Sequence, residues 1–207
     1  MRATIVRSLL LVLLVLASAP AALAQSPIDR HDFDAAMRKL WEDHVTWTRL
    51  YIVSAVAGLP DKDANAERLL QNQADIGNAI KPFYGDEAGD ALTALLRDHI
   101  LIAAELVDAA KAGDQAKQKT AAARWNANAD DIAGFLAGAN PDNWPLGEGK
   151  KMMREHLDLT TKSVVAQLGG DWAGSIAAYD EIHDQILHMA DMLSAGIAAQ
   201  FPDKFRS

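Results

Sequence analysis

The segment LLRDHILIAAEL (residues 95–106) carries a histidine in the middle of an apolar helical stretch. Its apolar residues recur every three or four positions, which places His99 on the stripe of an amphipathic helix that faces the core. Closely similar phrases, each with a central histidine, occur in LWEDHVTWTRL (residues 40–50) and MMREHLDLTTK (residues 152–162). Three histidines in one recurring context predict three related helices.

Glycine and proline are concentrated in a few places that divide the chain into helical segments. Asp61, Asp114 and Asp171 each follow a break that contains glycine. Each therefore suits the start of a helix, where a carboxylate meets free backbone N–H groups. The pattern predicts six helices and no strand, with the helices at about 32–57, 62–81, 86–112, 114–138, 148–168 and 171–200.

The six predicted helices pair into three αα-hairpins. Each hairpin would have a histidine helix, a turn, a helix that carries an aspartate, and a proline stop, at 40–85, 95–141 and 152–202. Successive histidines of the three phrases lie 55 and 57 residues apart, a period that suits one hairpin per repeat. The sequence therefore predicts an all-α, six-helix bundle built from three αα-hairpin repeats.

The start of the chain has the pattern of a secretory signal peptide. Arg2 and Arg7 precede an apolar run over residues 8–19, and a small-x-small site follows at residues 22–24. We expect residues 1–24 to be the signal peptide and 25–207 to be a single helical-bundle domain, periplasmic or secreted. No second long apolar run follows, so no integral membrane segment is expected after cleavage.

The composition excludes several classes of partner and site. The chain has 28 acidic against 20 basic residues, and two of the basic ones belong to the predicted signal peptide, so the mature chain is roughly ten charges negative. An acidic protein is a poor match for nucleic acid. The chain contains no cysteine, which rules out disulfides, cysteine-based zinc sites and thiol nucleophiles.

Counting residues from the turn places Asp75 at the level of His44, and Asp131 within about one helical turn of the level of His99. In the third hairpin the level of the histidine is matched only if Asp184 or His188 takes this place. A carboxylate there would accept the ring N–H and leave the other ring nitrogen free to bind. If the three rings converge, they would form a site for a transition metal, zinc or copper, or for a small ligand. The predicted metal or ligand site comprises His44, His99, His156, Asp75, Asp131 and Asp191.

Two other functions fit the same residues. The polar pairs would fix helix packing in a structural or partner-binding envelope protein, or a His–Asp pair would serve as the general base of a hydrolase-like enzyme. The sequence has no Gly-rich phosphate loop, no G-x-S-x-G and no H-E-x-x-H. We therefore expect a binding protein rather than an enzyme.

Segments spread over most of the mature chain resemble a group of uncharacterised bacterial proteins, many of them exported. Members have carried automatic names such as glycosyltransferase or acetylglutamate kinase, which imply α/β sheets and nucleotide-binding loops that the predicted helical chain lacks. The resemblance therefore implies membership, but no activity and no site residues. The segments are LWEDHVTWTR (40–49), RLLQNQADIGNAI (68–80), NADDIAGFL (128–136), MMREHLDLTT (152–161) and MADMLSAGIAAQFPDKF (189–205).

Overall fold

A computed structural model describes residues 27–206, so the predicted signal peptide lies outside the described residues. The described chain is almost entirely helical. A two-residue strand precedes the helices, and a short 3₁₀ turn at Pro202–Lys204 and a second two-residue strand follow them. In chain order the elements are β1 (Ile28–Asp29), α1 (Arg30–Ala57), α2 (Lys62–Tyr84), α3 (Asp86–Lys111), α4 (Gln115–Ala139), α5 (Leu146–Leu168), α6 (Trp172–Gln200) and β2 (Phe205–Arg206).

Local sequence signals set the helix ends. Asp114 accepts a hydrogen bond from the Lys117 amide, and Asp171 accepts one from the Gly174 amide, so both cap their helices as predicted. Asp61 holds the same position before α2, but its side chain makes no capping hydrogen bond. The turns that precede these helices end the previous helix at or near a glycine.

Helix α2 is longer than the sequence predicts, because it continues through Pro82 to Tyr84. The proline removes one backbone hydrogen bond but lies close enough to the helix end for the last turn to persist. Aromatic packing holds this turn: the Phe83 ring lies 5.3 Å from that of Phe33, and the Tyr84 ring lies 5.2 Å from that of Phe201. Gly85, with φ at +86°, then turns the chain directly into α3.

The six helices form a closed ring. Each helix packs against the next one in the chain, and α6 returns to pack against α1. Hydrogen bonds between most successive helices, and the contacts of Gly77 with Thr93 and of Lys81 with Asp90 between α2 and α3, show that neighbours run antiparallel, so α1, α3 and α5 point the same way. Helix α1 also contacts α3 and α5 across the ring. The predicted all-α, six-helix bundle is confirmed, and the internal repeat stays a prediction.

The two short strands pair in parallel and tie together the ends of the described chain. Ile28 pairs with Phe205, and the Phe205 ring stacks on Phe83 at 5.6 Å. The sequence predicts no strand here, because segments this short carry no alternating pattern.

The apolar core consists of two clusters. The larger one contains most of the buried residues that precede the three histidines along α1, α3 and α5, such as Met37, Leu96 and Met153. The smaller one contains residues that follow them, such as Ile52 and Val164. Within the described residues, no helix is long and apolar enough to cross a membrane.

Candidate functional site

The three histidines of the repeated phrases meet inside the ring. The His44 and His156 ring centroids lie 5.7 Å apart, and those of His99 and His156 lie 6.2 Å apart. Their exposed fractions are 3%, 3% and 4% for His44, His99 and His156. The inward orientation predicted from helical spacing is therefore confirmed. We call these three side chains the histidine layer.

Each ring of the histidine layer is held at Nδ1 by a side-chain amide of the following helix. Gln73 contacts His44 at 3.3 Å, Asn128 contacts His99 at 2.8 Å, and Gln185 contacts His156 at 3.2 Å. In all three hairpins the amide residue follows its histidine by 29 positions.

In each hairpin a second hydrogen bond joins the amide-bearing helix to the histidine helix, at the carbonyl four residues before the ring. Asn128 donates to the Leu95 carbonyl at 3.0 Å, and Gln185 donates to the Met152 carbonyl at 3.2 Å. In the first hairpin the neighbouring Asn72 makes this bond, to the Leu40 carbonyl. These bonds fix the register between the two helices of every hairpin.

In two of the hairpins the anchored amide determines which ring nitrogen carries the proton. Asn128 and Gln185 use their nitrogens on carbonyls and turn their oxygens to the rings, so His99 and His156 donate from Nδ1 and keep a bare Nε2. Gln73 differs, because its nitrogen donates to the Leu69 carbonyl and also faces His44 Nδ1. The same nitrogen also contacts the Asn72 side-chain oxygen at 3.1 Å, so three neighbouring atoms surround an amide group with two hydrogens in the first hairpin.

Burial keeps the histidine layer neutral. It lowers the pKa of His99 to about 3, and the nearby His156 ring adds to this effect. Burial also lowers the pKa of His44 well below its ordinary value, with both other rings contributing. The pKa of His156 is lowered by burial too, although its hydrogen bond to Gln185 opposes the shift. An uncharged layer suits an apolar environment.

The predicted His–Asp pairs are wrong, since amides occupy the places expected for carboxylates. Asp75 is half-buried and lies 3.7 Å from Arg68, while Asp191 pairs with Arg38 at 2.8 Å. Asp131 is exposed. Asp75 lies at the height of His44 along the hairpin axis, but its side chain points in a different direction around α2. It follows Gln73 by two residues, which turns it by about 200° to the outer face of the helix.

The zinc or copper site stays a prediction. Within residues 27–206, no group of three or more histidine, aspartate or glutamate side chains is placed so that it could hold a metal ion. At each ring the Nδ1 atom is already in contact with a side-chain amide, which leaves only Nε2 for a metal.

A cavity of about 360 Å³ lies beyond the histidine layer, toward the carboxyl ends of α1, α3 and α5. The residues four and eight positions after each histidine line it, so it continues the helical stripes that carry the rings. Most of its remaining wall is aliphatic and comes from α3, α4 and α5. The six residues of the stripes are Thr48, Ala103, Thr160, Ile52, Val107 and Val164.

The cavity opens to solvent between α4 and α5. Lys119 on α4 and Asp158 and Val165 on α5 line its outer part and are exposed. Near the other end of these two helices, Asp130 bonds to Arg154 at 2.8 Å and closes the seam. The two helices are thus tied at one end and separated at the other.

None of the amides at the histidine layer was predicted as a site residue. The signal that identifies them is the constant offset of 29 residues from each histidine, which always falls on asparagine or glutamine. Comparisons of the chain with protein-family models, curated proteins and solved structures found no match. The resemblance described from the sequence therefore stays a prediction.

Proposed function

We propose that this protein is an exported binding protein that takes a small, largely apolar molecule into the cavity beside the histidine layer. The cavity itself carries the proposal. Its volume of about 360 Å³ falls in the usual range of small-molecule sites, roughly 300–1,000 Å³. Its wall is mainly aliphatic, and its outer part opens to solvent between α4 and α5.

The histidine layer supports this function by keeping the inner end of the cavity in shape. The hydrogen bonds of the side-chain amides hold each hairpin in one register, and the histidine rings pack α1, α3 and α5 against one another at this level. Because the rings are neutral, they add no charge that would oppose an apolar molecule. The wall is thus formed before a ligand arrives, which reduces the entropic cost of binding.

The structural alternative also has an observation in its favour. Every ring of the layer is closed at Nδ1 by an amide of its own hairpin, as a purely architectural contact would be. In that case the cavity would be a packing defect with no occupant. The enzymatic alternative is less well supported, because none of the three imidazoles is more than 4% exposed.

A binding assay with a neutral fluorescent probe separates these functions. N-phenylnaphthylamine emits strongly only in an apolar site, so its fluorescence should rise and saturate when protein is added. Ala103→Leu adds bulk to the cavity wall and should abolish or strongly weaken the signal. Ala91→Leu is the matched control, because Ala91 lies on the exposed side of the same helix. Circular dichroism checks that both variants are folded.

Saturable binding lost only in Ala103→Leu would support a cavity site. Fluorescence that does not saturate, or that responds equally in both variants, would contradict the proposed function. The absence of any rise would contradict it as well and would favour the structural alternative.

A further inference from the structure

The Arg49 guanidinium lies at the seam between α1 and α6, where neutral groups hold it in place. Its Nη1 lies 3.1 Å from the Ser175 carbonyl oxygen, 2.5 Å from the Ser175 hydroxyl and 3.3 Å from the Ser163 hydroxyl. Both serines are buried. The guanidinium carbon also lies 5.6 Å from the centre of the Tyr179 ring. These contacts fix the charged end of a long side chain against the bundle.

Arg49 is an exception among the partly buried arginines of residues 27–206. The other three, Arg30, Arg68 and Arg154, each pair with an aspartate. Arg49 makes no ion pair within the described residues, although the chain has 28 acidic residues against 20 basic ones. Its positive charge is therefore available to an anion from outside the described chain.

One edge of the Arg49 guanidinium is open to such an anion. Nε and Nη2 make no hydrogen bond within the described residues, and neither is among the buried atoms that lack a partner, so both reach solvent. These two nitrogens form the side-on edge of the group, whose parallel N–H bonds match the two oxygens of a carboxylate. Because Nη1 and the Tyr179 ring already position the group, binding costs it little further freedom.

The side chains that flank this open edge are apolar and exposed. Each residue turns a helix by about 100°, so going outward around α6 the Tyr179 ring is followed by Trp172 and then Ile176. Their exposed fractions are 60% and 55%. On α1, Leu50 directly follows Arg49 and is 41% exposed. Large apolar side chains grouped on a surface are typical of interaction sites.

We infer that Arg49 and these apolar neighbours bind a small organic acid with one carboxylate and an apolar body. The carboxylate oxygens accept from Nε and Nη2, and the body packs on Trp172 and Ile176. Asp180 is exposed one turn beyond Ile176 and disfavours a second negative charge on the ligand. None of these residues lines the cavity, so the inference goes beyond the proposed function and does not rest on it.

Calorimetric titration with octanoate, below its micelle concentration and at pH 7.5, tests this site. Octanoate should bind saturably, and 1-octanol, which has the same body without the charge, should bind much more weakly. Arg49→Gln should weaken octanoate binding by at least about tenfold, because it removes a charge-assisted pair of hydrogen bonds. Arg97→Gln is the matched control: Arg97 also makes no ion pair among the described residues, but it is exposed on α3.

Two more substitutions test the two parts of the site separately. Arg49→Lys keeps the charge but lacks the parallel N–H bonds, so its affinity for octanoate should fall between those of the wild type and Arg49→Gln. Ile176→Ser changes an exposed position and should weaken octanoate binding about threefold, because it removes apolar contact area. Circular dichroism checks that every variant is folded.

The cavity variant Ala103→Leu separates this inference from the proposed function, and it should bind octanoate like the wild type. If octanoate does not bind saturably, or if Arg97→Gln weakens its binding as much as Arg49→Gln does, the inference is overturned. Binding that is lost in Ala103→Leu and kept in Arg49→Gln would place the acid in the cavity. That result would overturn the site at Arg49 and leave the proposed function standing.

Discussion

The buried histidine layer predicts a strong loss of stability in mild acid. In the unfolded chain a histidine titrates near its ordinary pKa of 6.5, whereas burial lowers the pKa of His99 to about 3 in the folded protein. Between these values the unfolded state binds more protons, so the free energy of unfolding falls as the pH falls. The stabilisation is complete above the unfolded pKa and is lost progressively below it.

The size of the effect follows from proton linkage. From pH 7 to pH 5, a histidine that titrates normally when unfolded and stays neutral when folded lowers the free energy of unfolding by about 2 kcal/mol. His99 fits this case. The full layer would contribute at most about 6 kcal/mol, if His44 and His156 also stayed neutral down to pH 5. That limit is comparable to the total stability of many domains, roughly 5–15 kcal/mol.

Urea unfolding at pH 7, 6 and 5, followed by circular dichroism, measures this directly. The free energy of unfolding of the wild-type protein should fall by at least about 2 kcal/mol between pH 7 and pH 5. A glutamine at position 99 cannot titrate, so the free energy of unfolding of His99→Gln should fall by about 2 kcal/mol less than that of the wild type between pH 7 and pH 5. This difference holds even though the stability of the variant at pH 7 also changes. Equal stability of the wild type at pH 7 and pH 5, or the same pH dependence in His99→Gln, would refute the reasoning.

Three further outcomes follow from the structure. Asn128→Asp places a carboxylate against His99 and should raise the pKa of that ring, so NMR of the ring should detect its protonation at a higher pH than in the wild type; an unchanged titration would contradict the described contact. Gly77→Ala should lower the free energy of unfolding by about 1–3 kcal/mol in urea titrations, because a Cβ there would lie 2.5 Å from a carbonyl oxygen of α3. Gly134→Ala has open space at the same atom and should be neutral or stabilising, and an equal loss in both would show that close approach is not the cause. Protein exposed to zinc or copper and then dialysed should retain no stoichiometric metal by elemental analysis, because no three histidine, aspartate or glutamate side chains within residues 27–206 are placed to hold a metal ion; retention abolished by His99→Ala would overturn this.

The helices and their ends could be predicted because local chemistry sets them. Asp114 and Asp171 act as caps through hydrogen bonds from backbone amides only three residues further along the chain. Glycines mark the turns regardless of what packs around them. Helical spacing likewise placed His44, His99 and His156 on inward faces. Pro82 shows where local rules fail, since aromatic packing from distant residues extends α2 beyond it.

The partners of the histidines could not be predicted from levels along the hairpin. For two side chains on neighbouring helices to meet, each must lie at the same height along the hairpin and also point toward the other helix. A shift of two residues turns a side chain to the opposite face of its helix. Asp75 has the right height, but Gln73 has the right direction. The more informative signal was the fixed offset from each histidine to an asparagine or glutamine.

The cavity could not be predicted from the sequence, because its presence depends on how far apart α4 and α5 lie. No local pattern encodes that distance. It results from the ion pairs of Asp130 at one end of the seam and from the small or aliphatic residues at the other. The Thr160 hydroxyl, which has no hydrogen-bond partner among the described residues, is equally invisible in the sequence, since Thr48 lies at the same distance after its histidine and donates to the His44 carbonyl.

The return of α6 onto α1 and the pairing of β1 with β2 make the fold circular in its contacts. Each helix has a neighbour on both sides, so none stands at an edge, and the two ends of the described chain are adjacent. A circular permutant that starts after Gly113 and joins residue 206 to residue 27 through a short linker would keep all six helix–helix interfaces. In such a protein the order in which the helices leave the ribosome changes while their arrangement in space does not.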